Sequence, residues 1–187
     1  AIRYLDGTGW KVSSGLILGL PGQTRTHVEQ TVDLLAKLPL AGCSVSPFIA
    51  GAQTPFVHAP CGEIDRTLDC VAQLRLRSPR WIIPAVSAMW LVSEDGYRRA
   101  FEAGANLATI NLTPRAVRMD YPIYKRDRVF MDEERVLAAI AAAGCEPSRI
   151  AMAAHLRKNN SLANGRVSHS SETTSRAFEV VRSGTCP

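Results

Sequence analysis

The 187 residues suffice for one domain or a large part of one, and 46% hydrophobic with 21% charged residues is ordinary for a folded, water-soluble chain. No apolar run approaches the roughly 20 residues of a membrane helix, no secretory signal opens the sequence, and the five scattered cysteines (Cys43, Cys61, Cys70, Cys145, Cys186) contain no C-x-x-C pair. Together these exclude a disulfide scaffold or zinc site and lead us to expect a reduced, cytoplasmic protein without a membrane partner.

The net charge of +5 (22 Lys and Arg against 17 Asp and Glu) raises the question of a nucleic-acid partner. Five basic residues (Arg157, Lys158, Arg166, Arg176, Arg182) and two acids (Glu172, Glu179) place +3 of that charge between Ala151 and Pro187. Phe178 is the lone aromatic there, so stacking on bases is not expected. Residues 149–187 read as a basic, flexible tail rich in Ser, Asn and Arg, after a folded unit over residues 1–148.

Ile2 to Leu5 reads as the end of a helix, so the chain is expected to be truncated. Gly7-Thr8-Gly9 is a turn, and Val12 to Leu18 is the first strand. Pro21-Gly22 then turns the chain, and Thr24 caps a helix to Leu38 with the apolar stripe Val28, Val32, Leu35 and Leu38, stopped by Pro39. Cys43 to Phe48 is a second strand and Ile49 to Gly62 a loop. Ile64, Leu68, Val71 and Leu74 mark a helix closing near Ser78-Pro79. A third strand follows over Trp81 to Ala85, then a helix capped by Ser93 and ending at Ala103 before Gly104. Leu107 to Asn111 is the fourth strand, Leu112 to Met131 a polar and aromatic loop, and Asp132 to Ala143 the last helix.

Strand then helix, four times over, predicts an α/β fold of parallel right-handed (β/α) units, half of a (β/α)8 barrel. Ligands of such folds sit on the loops after the strands, which here are Gly19–Thr24, Phe48–Thr54, Val86–Met89 and Asn111–Tyr124. The common phosphate-loop spacing is absent, because no Lys with Ser or Thr follows the last glycine.

Five motifs in order carry a family resemblance. Gly15-x-Ile17-x-Gly19 with Leu20-Pro21-Gly22-Gln23-Thr24 resembles the fifth-strand motif of radical S-adenosylmethionine (SAM) enzymes. Pro47-Phe48-Ile49 with Thr54-Pro55 resembles their sixth-strand loop, and Ile83-Pro84-Ala85-Val86-Ser87-Ala88-Met89 their seventh. Gly104-Ala105-Asn106, and then Asn111-Leu112-Thr113-Pro114 with Arg118-x-x-Tyr121-x-x-Tyr124, are similar to the eighth strand and its loop. The pattern is most similar to the HydE-type hydrogenase maturases and the biotin-synthase-like group, over about Arg3 to Gly144.

The resemblance implies the C-terminal half of a radical SAM TIM-type barrel. The whole enzyme would cleave SAM reductively at a [4Fe–4S] cluster, giving a 5′-deoxyadenosyl radical that acts on a small, amino-acid-derived substrate in metallocluster or cofactor maturation. Ile17, Gly19, Phe48 and Ile49 are then the expected cofactor-binding residues, and Ser87, Thr113, Arg118, Tyr121 and Tyr124 the substrate-binding ones. No catalytic or metal-binding residue is expected. The C-x3-C-x2-C cluster motif is absent, so the chain alone is not expected to be active and would need an N-terminal half or partner chain.

Other readings stand beside these. Tyr121 and Tyr124 suit packing equally well, and Arg118 could pair with Asp120 or Asp127. Cys43 reads as core filling, His27 as solvent-facing and Met89 as barrel wall. The chain could also be a non-catalytic half-barrel binding or scaffold module, or a fragment of a phosphate-binding barrel enzyme.

Overall fold

The computed structural model describes residues 1–114, 116–117, 130–163 and 177–182. A short helix α1 (Ile2–Gly7) leads into strand β1 (Ser13–Leu18), whose alternate residues face opposite sides. Helix α2 (Arg25–Ala36) starts where the cap residue predicts. The Thr24 hydroxyl accepts from the His27 N–H at 3.2 Å, and the exposed His27 returns the bond by accepting from the Thr24 N–H at 3.3 Å. Strand β2 (Gly42–Pro47) and helix α3 (Ile64–Arg77) follow. The predicted stripes of both helices face the core: Val32, Leu35, Leu68, Val71 and Leu74 are buried, with Val28, Leu38 and Ile64 packed against them.

The third unit departs from expectation in two places. Strand β3 is only Pro84–Ala85, preceded by a single bridge between Gly42 and Ile82. Proline brings no N–H to the ladder, and the Ile83 N–H is taken by the Asn106 side chain at 2.8 Å. The helix expected from Ser93 begins only at Gly96, as α5 (Gly96–Ala103), and an unexpected helix α4 (Ser87–Val92) precedes it. The Ser93 hydroxyl bonds the Asp95 carboxylate rather than capping an amide. The corner between these helices is too close for a side chain at Gly96, whose Cβ would overlap the Met89 carbonyl. Strand β4 (Leu107–Ile110) and helix α6 (Glu133–Ala142) follow, the latter capped by Asp132 accepting from the Arg135 N–H at 3.1 Å.

Beyond residue 143 lie strand β5 (Glu146–Pro147), helix α7 (Met152–Ala163) and strand β6 (Ala177–Arg182). Every pairing among the described residues is parallel. Strands β1 and β2 form one ladder, and β3-β4-β6-β5 form another in that order. The Gly42–Ile82 bridge joins them, with the Cys43 N–H on the Ile82 carbonyl at 3.0 Å and the Ile82 N–H on the Ala41 carbonyl at 2.9 Å. The first four strands thus lie side by side in chain order.

Helices cover one side of this sheet: α2 packs on β1, α3 and α4 on β2, α5 on β3 and α6 on β4. The residues pointing that way (Leu18, Cys43, Val45, Ile83, Ala85, Ala108, Ile110) are buried, and Tyr97, Phe101 and Met89 fill the layer beneath them. The opposite side carries Ser13, Gly15, Ile17, Ser44, Ser46 and Thr109, half-buried or exposed, with Ile17 47% accessible. An in-order parallel sheet with helices on one face is the arrangement of a (β/α) barrel wall; a doubly wound sheet covers both faces. Among the described residues no helix is long and apolar enough to cross a membrane.

Candidate functional site

The turn after β1 is shaped by two glycines. Leu20-Pro21-Gly22-Gln23 closes with the Gln23 N–H on the Leu20 carbonyl at 2.9 Å, proline at the second place and Gly22 at the third with φ +78°. This is the pattern of a type II turn, which needs a residue tolerant of positive φ. Gly19 (φ +85°) has a second constraint. A Cβ there would overlap the Cα of Gly62, so the loops after β1 and β2 touch backbone to backbone. Two hydrogen bonds hold that contact: the Phe48 N–H donates to the Leu18 carbonyl at 2.7 Å, and the Gly62 N–H to the Phe48 carbonyl at 2.8 Å. The turn also folds the Gln23 side chain back onto the strand, where Nε2 donates to the Ile17 carbonyl at 2.9 Å and Oε1 accepts from the Gly19 N–H at 2.8 Å.

The topology brings the described members of the expected site to the C-terminal ends of the strands. Ile17 and Gly19 end β1, Phe48 and Ile49 follow β2, Ser87 opens the helix after β3, and Thr113 follows β4. They do not share one environment. Ile17 lies on the uncovered face beside Ser46, its register partner. Phe48 is buried, edge-on to Phe56 with ring centres 6.2 Å apart, and Ile49 is half-buried. The Thr113 N–H donates to the Asn111 side chain at 2.9 Å, which shapes the start of its loop. Arg118, Tyr121 and Tyr124 lie outside the described residues.

A cavity of about 650 Å³ opens between the first turns of α2 and α3, lined among others by Gly19, Gln23, Thr24, Cys61 and Arg66. Of the expected cofactor-binding residues, Gly19 alone borders it. Arg25 and Arg66 at its rim pair with Glu29 and Glu63 at 2.8 and 2.9 Å on exposed surface, which leaves no pronounced positive field for an anion.

The described residues do not fit an iron–sulfur cluster. Among the described residues no group of three or more His, Cys, Asp or Glu side chains converges. Cys43 and Cys70 are buried core residues; burial pushes the Cys43 thiol up to about 11 and the Cys70 thiol up to about 12, so neither supplies a thiolate readily. Cys61 is exposed on the loop beside the cavity.

Sequence reasoning missed four contributors. Gln23 and Gly62 stood in recognised segments, but nothing local shows that one bonds the strand backward and the other meets Gly19. Ser44 and Ser46 had a readable signal: a polar residue at every second place in Cys43-Ser44-Val45-Ser46-Pro47 marks a strand with one wet face.

No protein-family model matches the chain. Over 120 residues, 64% of its length, it is 31% identical to the [FeFe] hydrogenase maturase subunit HydE of Thermotoga maritima, and the aligned part spans 34% of that protein. Two crystal structures of tryptophan synthase α chains from Legionella pneumophila superpose loosely at 13% identity. One has a TM-score of 0.41 over 97% of this chain and 64% of that one; the other has 0.43 over 81% and 59%. The chain thus spans about a third of the curated relative that it matches, and the similarity to HydE supports a relationship to the radical SAM enzymes.

Proposed function

We propose that this chain is the C-terminal half of a radical SAM barrel of the HydE and biotin-synthase-like type, forming the wall of a reaction chamber that closes over a small, amino-acid-derived substrate. The observation that carries the reading is the one-sided sheet, whose uncovered face pairs small polar side chains with the exposed Ile17 at the strand ends. The likeness to HydE supports it.

In this reading the adenosyl group of SAM would rest on Ile17 and the backbone of Gly19. Phe48, held by Phe56, and Ile49 form the apolar floor behind them. Bound SAM would supply radical chemistry, and the chain's part would be to orient the reactants and exclude water. Hydroxyls of Ser87 and Thr113, together with Arg118, Tyr121 and Tyr124, would hold the substrate's polar groups, since a guanidinium and hydroxyls suit a small carboxylate. The cluster is assigned to no residue of this chain.

Two measurements on the purified chain test this. Equilibrium dialysis with labelled SAM is expected to show binding that adenosine displaces and a phosphorylated sugar does not. Anaerobic treatment with iron and sulfide is expected to leave no stable visible chromophore. Binding of the phosphorylated sugar without SAM overturns the adenosyl site, and a stable four-iron centre overturns the assignment of the cluster outside these residues.

A further inference from the structure

The carbonyl of Leu18 points to β2, where it accepts from Phe48. Backbone groups alternate sides along a strand, so the Ile17 carbonyl and the Gly19 N–H point the other way, along the edge of β1 that no described strand pairs. A residue of a neighbouring parallel strand would bond that pair, its N–H on the first and its carbonyl on the second. The Gln23 carboxamide makes both of these bonds, at 2.9 and 2.8 Å. A side chain therefore occupies the position of one residue of an adjacent strand.

We propose that Gln23 is the positioning residue of this site: its carboxamide substitutes for one residue of a neighbouring strand and fixes the end of β1 so that the Ile17 side chain and the Gly19 backbone face a ligand. The proposal rests on the adenosyl reading above for the identity of the ligand. Two consequences follow. Gly19 keeps its positive φ because its N–H is held by the side chain of the residue that closes the turn. A strand pairing along the edge of β1 reaches no further than the Ile17 N–H, because the next bonding pair is already taken, so the mouth of the site stays clear of backbone.

The test compares Gln23→Met, which keeps the reach and removes both bonds, and Gln23→Ala with the unaltered chain. Hydrogen exchange at the Gly19 amide is followed by NMR, and labelled SAM binding by equilibrium dialysis. Loss of the bonds is expected to speed Gly19 exchange about tenfold and weaken SAM binding about tenfold, the scale of one hydrogen bond, while the thermal midpoint stays close to that of the unaltered chain. Unchanged Gly19 exchange overturns the proposal whatever SAM does. Faster exchange with unchanged SAM affinity overturns the positioning role. If the unaltered chain binds no SAM, the adenosyl reading falls, and the exchange result alone decides whether Gln23 holds the strand end.

Discussion

Replacing Gly19 and Gly22 with alanine in separate chains isolates the backbone contact that joins the first two loops. Both glycines have nearly the same positive φ, +85° and +78°, so each alanine carries a left-handed conformational cost of ~1–2 kcal/mol. A Cβ at Gly22 meets nothing within 4 Å, so that cost is the whole effect. A Cβ at Gly19 overlaps the Gly62 Cα, and Gly62 has no side chain to move aside. Relief requires the two loops to part, which strains the Phe48-to-Leu18 and Gly62-to-Phe48 hydrogen bonds. Overpacking of this kind adds about 1–3 kcal/mol. Gly19→Ala should therefore exceed Gly22→Ala by that amount, roughly 2–12 °C in thermal midpoint at 2–4 °C per kcal/mol for a chain of this size. Thermal and urea unfolding followed by far-UV circular dichroism measure the difference. Equal losses in the two variants would refute a close contact between the loops.

Two more outcomes follow from buried polar groups. Tyr97, pushed up to about 12 by burial, and the Cys43 and Cys70 thiols keep their protons in the folded chain at pH values where an unfolded chain, with thiols near ~8.5 and phenols near ~10, releases them. The unfolded state then binds fewer protons, so stability falls as pH rises through that range. Urea midpoints measured from pH 8 upward should decline, less steeply in Cys43→Ala/Cys70→Ala, and a flat profile would contradict the burial. Asn106→Leu should destabilise by ~1–3 kcal/mol, because it leaves the Ile83 N–H and the Trp81 carbonyl without the side chain that now bonds them at 2.8 and 3.3 Å. A neutral result in chemical denaturation would show that Asn106 does not anchor β3.

The order of elements was legible because each signal was local. Thr24 and Asp132 cap helices where a hydroxyl and a carboxylate precede apolar stripes, and Gly104, with φ +118°, ends α5 as its position predicts. The errors fell where tertiary contacts decide. Ser93 has the composition of a helix cap, yet the corner between α4 and α5 is set by how closely Gly96 approaches Met89. The short ladder at β3 reflects a proline and the Asn106 side chain, 23 residues from the Ile83 amide that it bonds. At the site, the sequence identified the glycine-proline-glycine turn but not its partner, because Gly19 and Gly62 are 43 positions apart and neither has a side chain to signal contact.

The same geometry explains why the strand end is built this way. A ligand lying against backbone needs main-chain atoms that are bare yet fixed, and these demands conflict: bare backbone at a sheet edge is mobile and invites pairing with another strand. Here the conflict is resolved without a neighbouring strand at that level. Gly62 supports Gly19 from the β2 side through backbone contact, and Gln23 supports it from the free edge through two hydrogen bonds. The Ile17 side chain projects from the remaining direction, toward the uncovered face. A strand end braced on two sides and open on the third leaves the proposed ligand one direction, and that direction faces the sheet surface that no described helix covers.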